Sequence, residues 1–456
     1  MKKTLRDKFN RRNVLRLLAG AAGAAVGLPV LVPDRALGLS ATMAPSERIT
    51  LGFIGVGMMG QGHVRVCAGY DQTQILAVCD VDQWRRDTNK ARVEEAYATR
   101  TNSGRYRGCD TYNDLRDLLA RADIDAVVIA TGDNWHGNAT VMAAKAGKDI
   151  YCEKPISKTI YEARTMVAHV HRYGRVSQIG LQQRSAPQFH KACDLVRRGR
   201  IGEVKTVYVI FSGTSGDVNL PPQPVPEGLD WNQWLGPAPW RPFNGRYHIY
   251  GKPPHVVPWQ FSRDFGGGNL TSNTVHAFDV VQWGLGMDES GPVEITPPVD
   301  GENPNLTYKY ANGVLVHVVD QKLKKDVHRI PKGWDVNRRI ENFGAVFVGD
   351  EGWIHVGRGG YLTGYPEGIL DAPTGETESP HPVTPHHQNW FDCIRSRQRA
   401  ACDVAIGCRS TIVSHLGCIA HWTGRSLRWD PQKEEFAGDE DANRLRTRTM
   451  RAPWQV

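Results

Sequence analysis

A charged pair closes an apolar run: Asp149-Ile150-Tyr151-Cys152 leads straight into Glu153-Lys154-Pro155. Burying a carboxylate and an ammonium at a strand end is costly unless the charges are paired or used, and proline there ends the ladder. A second group of residues points to phosphate binding. Gly55-Val56-Gly57-Met58-Met59-Gly60 follows the buried-strand run 49–54 and precedes a helical segment at 60–68. Strand, glycine turn and helix together make the G-x-G-x-x-G spacing specific. The glycines permit a tight turn and close approach of backbone to a pyrophosphate. The helix start, just after Met58 and Met59, offers unpaired N–H groups and a positive dipole end. The next strand, Gln74-Ile75-Leu76-Ala77-Val78-Cys79, ends at Asp80, twenty positions after Gly60. An acid there accepts hydrogen bonds from a ribose 2′-OH and repels a 2′-phosphate, so it favours NAD; Arg85 and Arg86 keep NADP open.

These residues need a particular frame. A third strand, Ala126-Val127-Val128-Ile129-Ala130-Thr131, exits through Gly132-Asp133-Asn134-Trp135-His136, at the end of a parallel strand where ligands bind. His136, in this exit, reads equally as a cofactor-side contact and as a helix-start residue. Gln182, Gln183 and Arg184, after the strand 176–180, read as sugar or cofactor contacts. Strand and helix alternate throughout, which predicts a parallel sheet covered on both faces. After Gly180 the pattern changes. Alternating runs at 204–212, 306–320 and 344–356 predict an open, mostly antiparallel sheet. The expected class is thus α/β: an N-terminal Rossmann domain at 44–178 and a C-terminal α+β substrate and oligomerisation domain at 179–430. A surface-wrapping tail at 431–456 follows. The stretch 214–265 is rich in Pro, Trp, Tyr and His. It reads equally as a platform for sugar faces, a self-packed lid or a subunit contact.

With these motifs in place, the chain resembles the glucose–fructose oxidoreductase / inositol dehydrogenase (Gfo/Idh/MocA) family. The matching features are Gly55 to Gly60, Asp80, Thr131 with His136, Glu153-Lys154-Pro155, and Gly266-Gly267-Gly268 followed by His276 and Asp279. Trp231-Asn232-Gln233-Trp234-Leu235-Gly236-Pro237-Ala238-Pro239 and Asp392-Cys393-Ile394-Arg395-Ser396 resemble a secreted bacterial subgroup. The resemblance implies that Lys154, with Glu153 beside it, reaches the nicotinamide region and the substrate hydroxyl. A lysine beside that positive ring loses its proton more readily. It also implies His276 as general acid/base, a cis peptide before Pro155, and a homo-oligomer formed through the second sheet. One departure stands out: many members carry Asp one helical turn before the histidine, and here that position is Ser272, next to Asn273. Ser272 and Asn273 join Gln183 and Arg184 as substrate candidates.

The chain carries 56 Lys+Arg against 48 Asp+Glu. Residues 1–43 hold eight basic and two acidic side chains, leaving 48 against 46. The basic total therefore belongs mainly to the first segment and is no sign of a nucleic-acid partner. That segment runs from Asn10-Arg11-Arg12-Asn13-Val14-Leu15-Arg16 into a mild, Ala/Gly-rich apolar stretch at 17–32, too weak for a membrane span. It predicts a twin-arginine signal, with the translocation machinery as a partner and the periplasm as destination. The nine cysteines lack zinc spacing, and no metal is expected. Free nicotinamide cofactor is scarce outside the cytoplasm, so a tightly held NAD loaded before export is expected. Three readings follow. The first is a carbohydrate oxidoreductase acting on a secondary alcohol. The second is a glycoside-cleaving enzyme using NAD transiently. The third is a carbohydrate-binding protein without activity.

Overall fold

Short apolar runs bounded by glycine and acid build the first sheet. Its strands are β1 (Ile49–Ile54), β2 (Thr73–Cys79), β3 (Asp110–Tyr112), β4 (Ala126–Ile129), β5 (Asp149–Cys152) and β6 (Ser177–Ile179). They lie in the order β3-β2-β1-β4-β5-β6, all parallel. The helices between them are α1 (Met58–Ala68), α2 (Gln83–Thr101), α3 (Leu115–Leu119), α4 (Asp133–Lys145) and α5 (Ile160–Arg172). In this doubly wound order the strands are added outward in one direction from β1 and in the other from β4, and the crevice beyond the carboxyl ends of these two is where ligands bind. Two glycines are sterically required there. Gly55 has φ of +81°, and a Cβ on it would meet Ala130 backbone at 2.8 Å; a Cβ on Gly60 would sit 2.1 Å from the Gly55 oxygen.

This computed structural model describes residues 44–101, 104–251, 258–299, 304–325, 327–371 and 383–455. The export segment expected at 1–43 lies outside the described residues. Residues 49–456 form one unit, and a 3-10 turn at Pro45–Glu47 belongs to the preceding one.

The second sheet has nine strands in the order β13-β12-β11-β7-β10-β9-β8-β14-β15. These are β7 (Val204–Ile210), β8 (Pro292–Thr296), β9 (Leu306–Tyr310), β10 (Leu315–Val319), β11 (Ala345–Gly349), β12 (Trp353–Val356), β13 (Leu362–Tyr365), β14 (Leu427–Asp430) and β15 (Glu435–Phe436). β7 and β10 pair in parallel; the other neighbours are antiparallel. The runs 306–320 and 344–356 are hairpins rather than single strands. The first turns at Asn312-Gly313, where Gly313 has φ of +87°.

Helices α6 (Pro187–Arg197) and α8 (Val275–Gly284) pack on the second sheet, and α10 (Val404–Thr423) touches β6 of the first sheet, β8 of the second and α5. The domain split at 178 simplifies this arrangement. Helix α9 (His386–Ser396) comes late in the chain, yet Trp390 and Phe391 are buried with Phe53, Tyr151 and Val176 in the core of the first sheet. The tail does more than wrap a surface. Trp454 is buried edge-on against Trp135 at 4.8 Å, and Arg448 pairs with the buried Glu162 at 2.7 Å.

The stretch 214–265 packs on itself. Trp231 stacks on Trp234 at 4.5 Å, around a short helix α7 (Trp231–Leu235), and Phe243, Tyr247 and Phe265 complete the cluster. Polar bonds pin it to the first domain: Asn134 Nδ2 donates to the Leu235 carbonyl, Trp135 Nε1 to that of Gln233, and Arg85 to those of Ile249 and Gly251. Of the three uses that its composition allows, the self-packed lid is the one that this packing builds.

Candidate active site

A cavity of about 380 Å³ opens at the carboxyl ends of β1, β4 and β5. One wall is the glycine turn with Gly55, Gly57, Met58 and Met59; the others carry Asp80, Thr131, Asp133, His136, Glu153 and Lys154. The lid adds Trp234, His248 and Trp259, and Ser272 and Asn273 close the far side.

The residues present fit a dinucleotide. No side chain caps the start of α1, so its first amides face the cavity unpaired by any cap. Asp80 is held by two backbone amides, with Oδ2 accepting from Val56 N at 2.8 Å and Oδ1 from Asp82 N at 2.9 Å. Both arginines that kept NADP open have other work. Arg85 bonds the lid carbonyls and pairs with the buried Asp82 at 3.3 Å, while Arg86 donates to the Asp80 carbonyl and to Asn113. Asp82 further bonds His248 and the amide of Gly251, which ties the lid to the end of β2. Asp133, which the spacing did not single out, is buried in the cavity wall with Oδ2 lacking a partner. Burial pushes its carboxyl up to about 7, against the lowering pull of Lys154 and Lys158.

Glu153 points under the sheet, into space that exists because residue 180 is glycine; a Cβ there would meet the carboxylate at 2.4 Å. Its Oε1 accepts from His63 at 3.0 Å and from Gln182 at 3.2 Å. Burial alone would raise its pKa, but His63, Lys154 and His276 outweigh that and hold it at about 2. His63 continues to His387 at 2.9 Å, and that ring stacks on Tyr151 at 4.9 Å. Lys154 turns the other way, and its peptide bond to Pro155 is cis. Its Nζ donates to the main-chain carbonyl of Ser272 at 2.7 Å. That carbonyl lies in a π-helical turn, Leu270–Thr274, directly before α8; such turns widen a helix where a site is built.

His276 stands in the first turn of α8, buried. Burial, then the charges of Lys154 and Arg358, drive its pKa well below the usual histidine value, so the ring is neutral at pH 7. Gln183 governs which nitrogen carries the proton. Its amide satisfies both neighbours when its N–H donates to Nδ1 at 2.9 Å and its oxygen accepts from Arg358 Nε and Nη2 at 3.1 Å each. That order leaves the proton on Nε2, ready to be given. Turned over, the amide oxygen faces Nδ1 at 2.9 Å, and the Nε2 lone pair is free to take a proton.

Three candidates have other roles. Arg184 is fully engaged: its guanidinium bonds the buried Asp279 at 2.9 Å and Asp288 at 2.6 Å, leaving no fork for a sugar. Its two ion pairs explain why a charged residue follows β6 so closely. His136 lies between the carbonyls of Pro155 (2.6 Å) and Thr131 (3.2 Å), so it braces the two loops although its edge meets the cavity. The Ser272 hydroxyl donates to the Gly268 carbonyl at 2.8 Å, which commits its proton within its own helix. Asn273 bonds Asn269 at 3.0 Å.

Comparison with known proteins agrees with this architecture. Residues 49–181 match the oxidoreductase-family NAD-binding Rossmann fold, and residues 203–456 match the C-terminal alpha/beta domain of that family. The rhizopine catabolism protein MocA of Rhizobium meliloti is 33% identical over 160 residues, 35% of this chain and 46% of the relative. An inositol 2-dehydrogenase of Rhizobium meliloti is 32% identical over 174 residues, 38% of this chain and 47% of the relative. This chain thus spans under half the length of each of these relatives. Among solved structures, myo-inositol 2-dehydrogenase from Lactobacillus plantarum superposes with a TM-score of 0.53 at 15% identity, covering 84% of this chain and 99% of that one.

Proposed function

The chain belongs to the Gfo/Idh/MocA oxidoreductase family, and from that premise we propose that it is an exported oxidoreductase that acts on a secondary alcohol of a carbohydrate. The observation that carries this reading is the bond from Lys154 Nζ to the Ser272 carbonyl. It ties the lysine at the end of β5 to the helix that bears His276, on the cavity that holds the glycine turn and Asp80. When bound there, NAD supplies the hydride acceptor. In oxidation the alcohol carbon gives up a hydride and its oxygen a proton, and a ketone forms. His276 takes that proton at Nε2, with Nδ1–H donated to Gln183. Lys154 supplies a positive hydrogen-bond donor to the oxygen as charge develops on it. In reduction the other orientation of Gln183 leaves Nε2 protonated and able to give the proton back.

The lid supports a second part of the proposal: the cofactor is loaded before export and retained. The bonds of Arg85, Asn134 and Trp135 hold the lid against the first domain beside the cavity, which favours slow release. The twin-arginine segment supports the periplasmic address.

The test is product analysis on purified protein without added cofactor, over a panel of sugars and glycosides. A keto-sugar, lost with Lys154→Ala by about a hundredfold or more in rate, is the expected result. A released aglycone with no net redox change would move the protein to the glycoside-cleaving reading. Full activity in Lys154→Ala would remove the mechanism.

A further inference from the structure

The substrate side of His276 carries an unusual charge balance. Arg358 is exposed at the turn between β12 and β13, followed by Gly359 and Gly360, both at positive φ. Its guanidinium lies over the Phe343 ring at 3.9 Å, and Phe343 meets the His276 ring edge-on at 5.3 Å. Nη2 of Arg358 is 3.4 Å from Nε2 of His276, the nitrogen to which the proposed mechanism gives the proton. Among the described residues no carboxylate pairs with Arg358. Glu153, next to Lys154 in the chain, has its oxygens on His63, Gln182 and the Lys154 amide. The position one turn before His276, where an acid would offset this charge, is Ser272. Lys154 shares its cavity with the carboxyl of Asp133, which burial pushes up to about 7, whereas Arg358 has no carboxylate partner among the described residues. A guanidinium that holds only the neutral Gln183 amide and His276, with no carboxylate of its own among the described residues, is suited to exchange those bonds for a carboxylate, which it binds in a planar, bidentate way.

Resting on the oxidoreductase reading, we infer that Arg358 anchors a carboxylate of the substrate, and that the site takes a sugar acid rather than a neutral sugar. The 3.4 Å gap sets the position of the reacting group. With hydrogen bonds of about 3 Å to each, the carboxylate and the reacting hydroxyl stand one or two carbons apart. Engaging that carboxylate draws Arg358 off the Gln183 oxygen. The amide is then free to turn that oxygen to Nδ1, which leaves Nε2 as a base.

The test is calorimetric titration of the purified holoprotein with glucuronate, galacturonate, gluconate and glucose. Wild type, Arg358→Gln and Arg358→Lys are compared, with a melting curve for each. Wild type is expected to bind at least one acid about tenfold or more tighter than glucose. That ratio falls towards one in Arg358→Gln and is partly kept in Arg358→Lys. Binding of no acid, equal binding of glucose, or equal weakening of acid and glucose in Arg358→Gln would overturn the inference. Absorbance at 340 nm separates the two claims. Arg358-dependent acid binding with no reduction of bound cofactor by any sugar or acid defeats the oxidoreductase reading and keeps the anchor. Reduction by neutral sugars without an acid preference does the reverse.

Discussion

Asp80 shows how a single residue couples local structure to ligand choice. Its two oxygens are fixed by the amides of Val56 and Asp82, so the carboxylate is pre-oriented at the cavity wall without side-chain partners. Asp80→Ala removes a charged acceptor, worth about 1.5–3 kcal/mol, and removes the repulsion of a 2′-phosphate. Nucleotide recovered from purified protein should be NAD in wild type. In Asp80→Ala the total should fall and the NADP share should rise; an unchanged yield of NAD alone would contradict this role. Residues of this kind were legible because the chemistry is local: Gly55 to Gly60, Asp80 and Glu153-Lys154 each follow a strand at fixed spacing. Gln183, Asp133 and Arg358 were not legible in the same way. Gln183 matters through the orientation of one amide, Arg358 arrives from a hairpin of the other sheet, and Asp133 is marked by an orphan oxygen that only burial reveals. Arg184 misled because a buried ion pair and a substrate fork use the same side chain.

At the scale of elements, the lid and tail form one device. Arg451 bonds the Gly236 carbonyl and Asn232, Trp454 buries its ring on Trp135, and Trp135 in turn holds the lid at Gln233. Trp454→Ala removes a buried ring, a change that costs about 3 kcal/mol. It should lower the melting temperature and speed nucleotide release, read by dilution into a cofactor trap. Unchanged release beside a lowered melting temperature would mean that the tail stabilises the fold without closing the cavity. The alternation of strands and helices made the first sheet readable, and the period-two runs made most of the second readable. The tail was harder because its partners, Trp135, Asn138 and Glu162, lie far back in the sequence. Helix α9 was harder for the same reason: nothing in its own sequence says that its aromatic face completes a core begun near residue 50.

For the whole molecule, buried neutral histidines set the acid limit. Burial pushes His355, His387 and His415 down to about 3 and His386 and His317 to about 4, with Arg338, His63 and Lys158 adding to it at the first three. In the unfolded chain each would titrate near 6.5. Between about 6.5 and 4 the unfolded state therefore binds more protons, and stability falls as pH falls, by up to about 1.4 kcal/mol per pH unit for each ring. Asp133 and Asp279, whose carboxyls burial raises, oppose this, since a raised value makes stability grow as pH drops, but they are two groups against these five rings. Melting temperature should decline steadily from pH 6.5 to 4; a flat profile over that range would contradict the buried, neutral assignment.

The central claim is an oxidoreductase that carries its own NAD, with Lys154 and His276 handling the proton. The most direct measurement is the absorbance spectrum of the purified protein, with nothing added, before and after mixing with sugars and sugar acids. The account predicts a nucleotide already present and a substrate-dependent change at 340 nm that is lost in Lys154→Ala while the nucleotide stays bound. Protein that emerges without nucleotide and turns over only when NAD is supplied, or that shows no redox change with any carbohydrate, would contradict it.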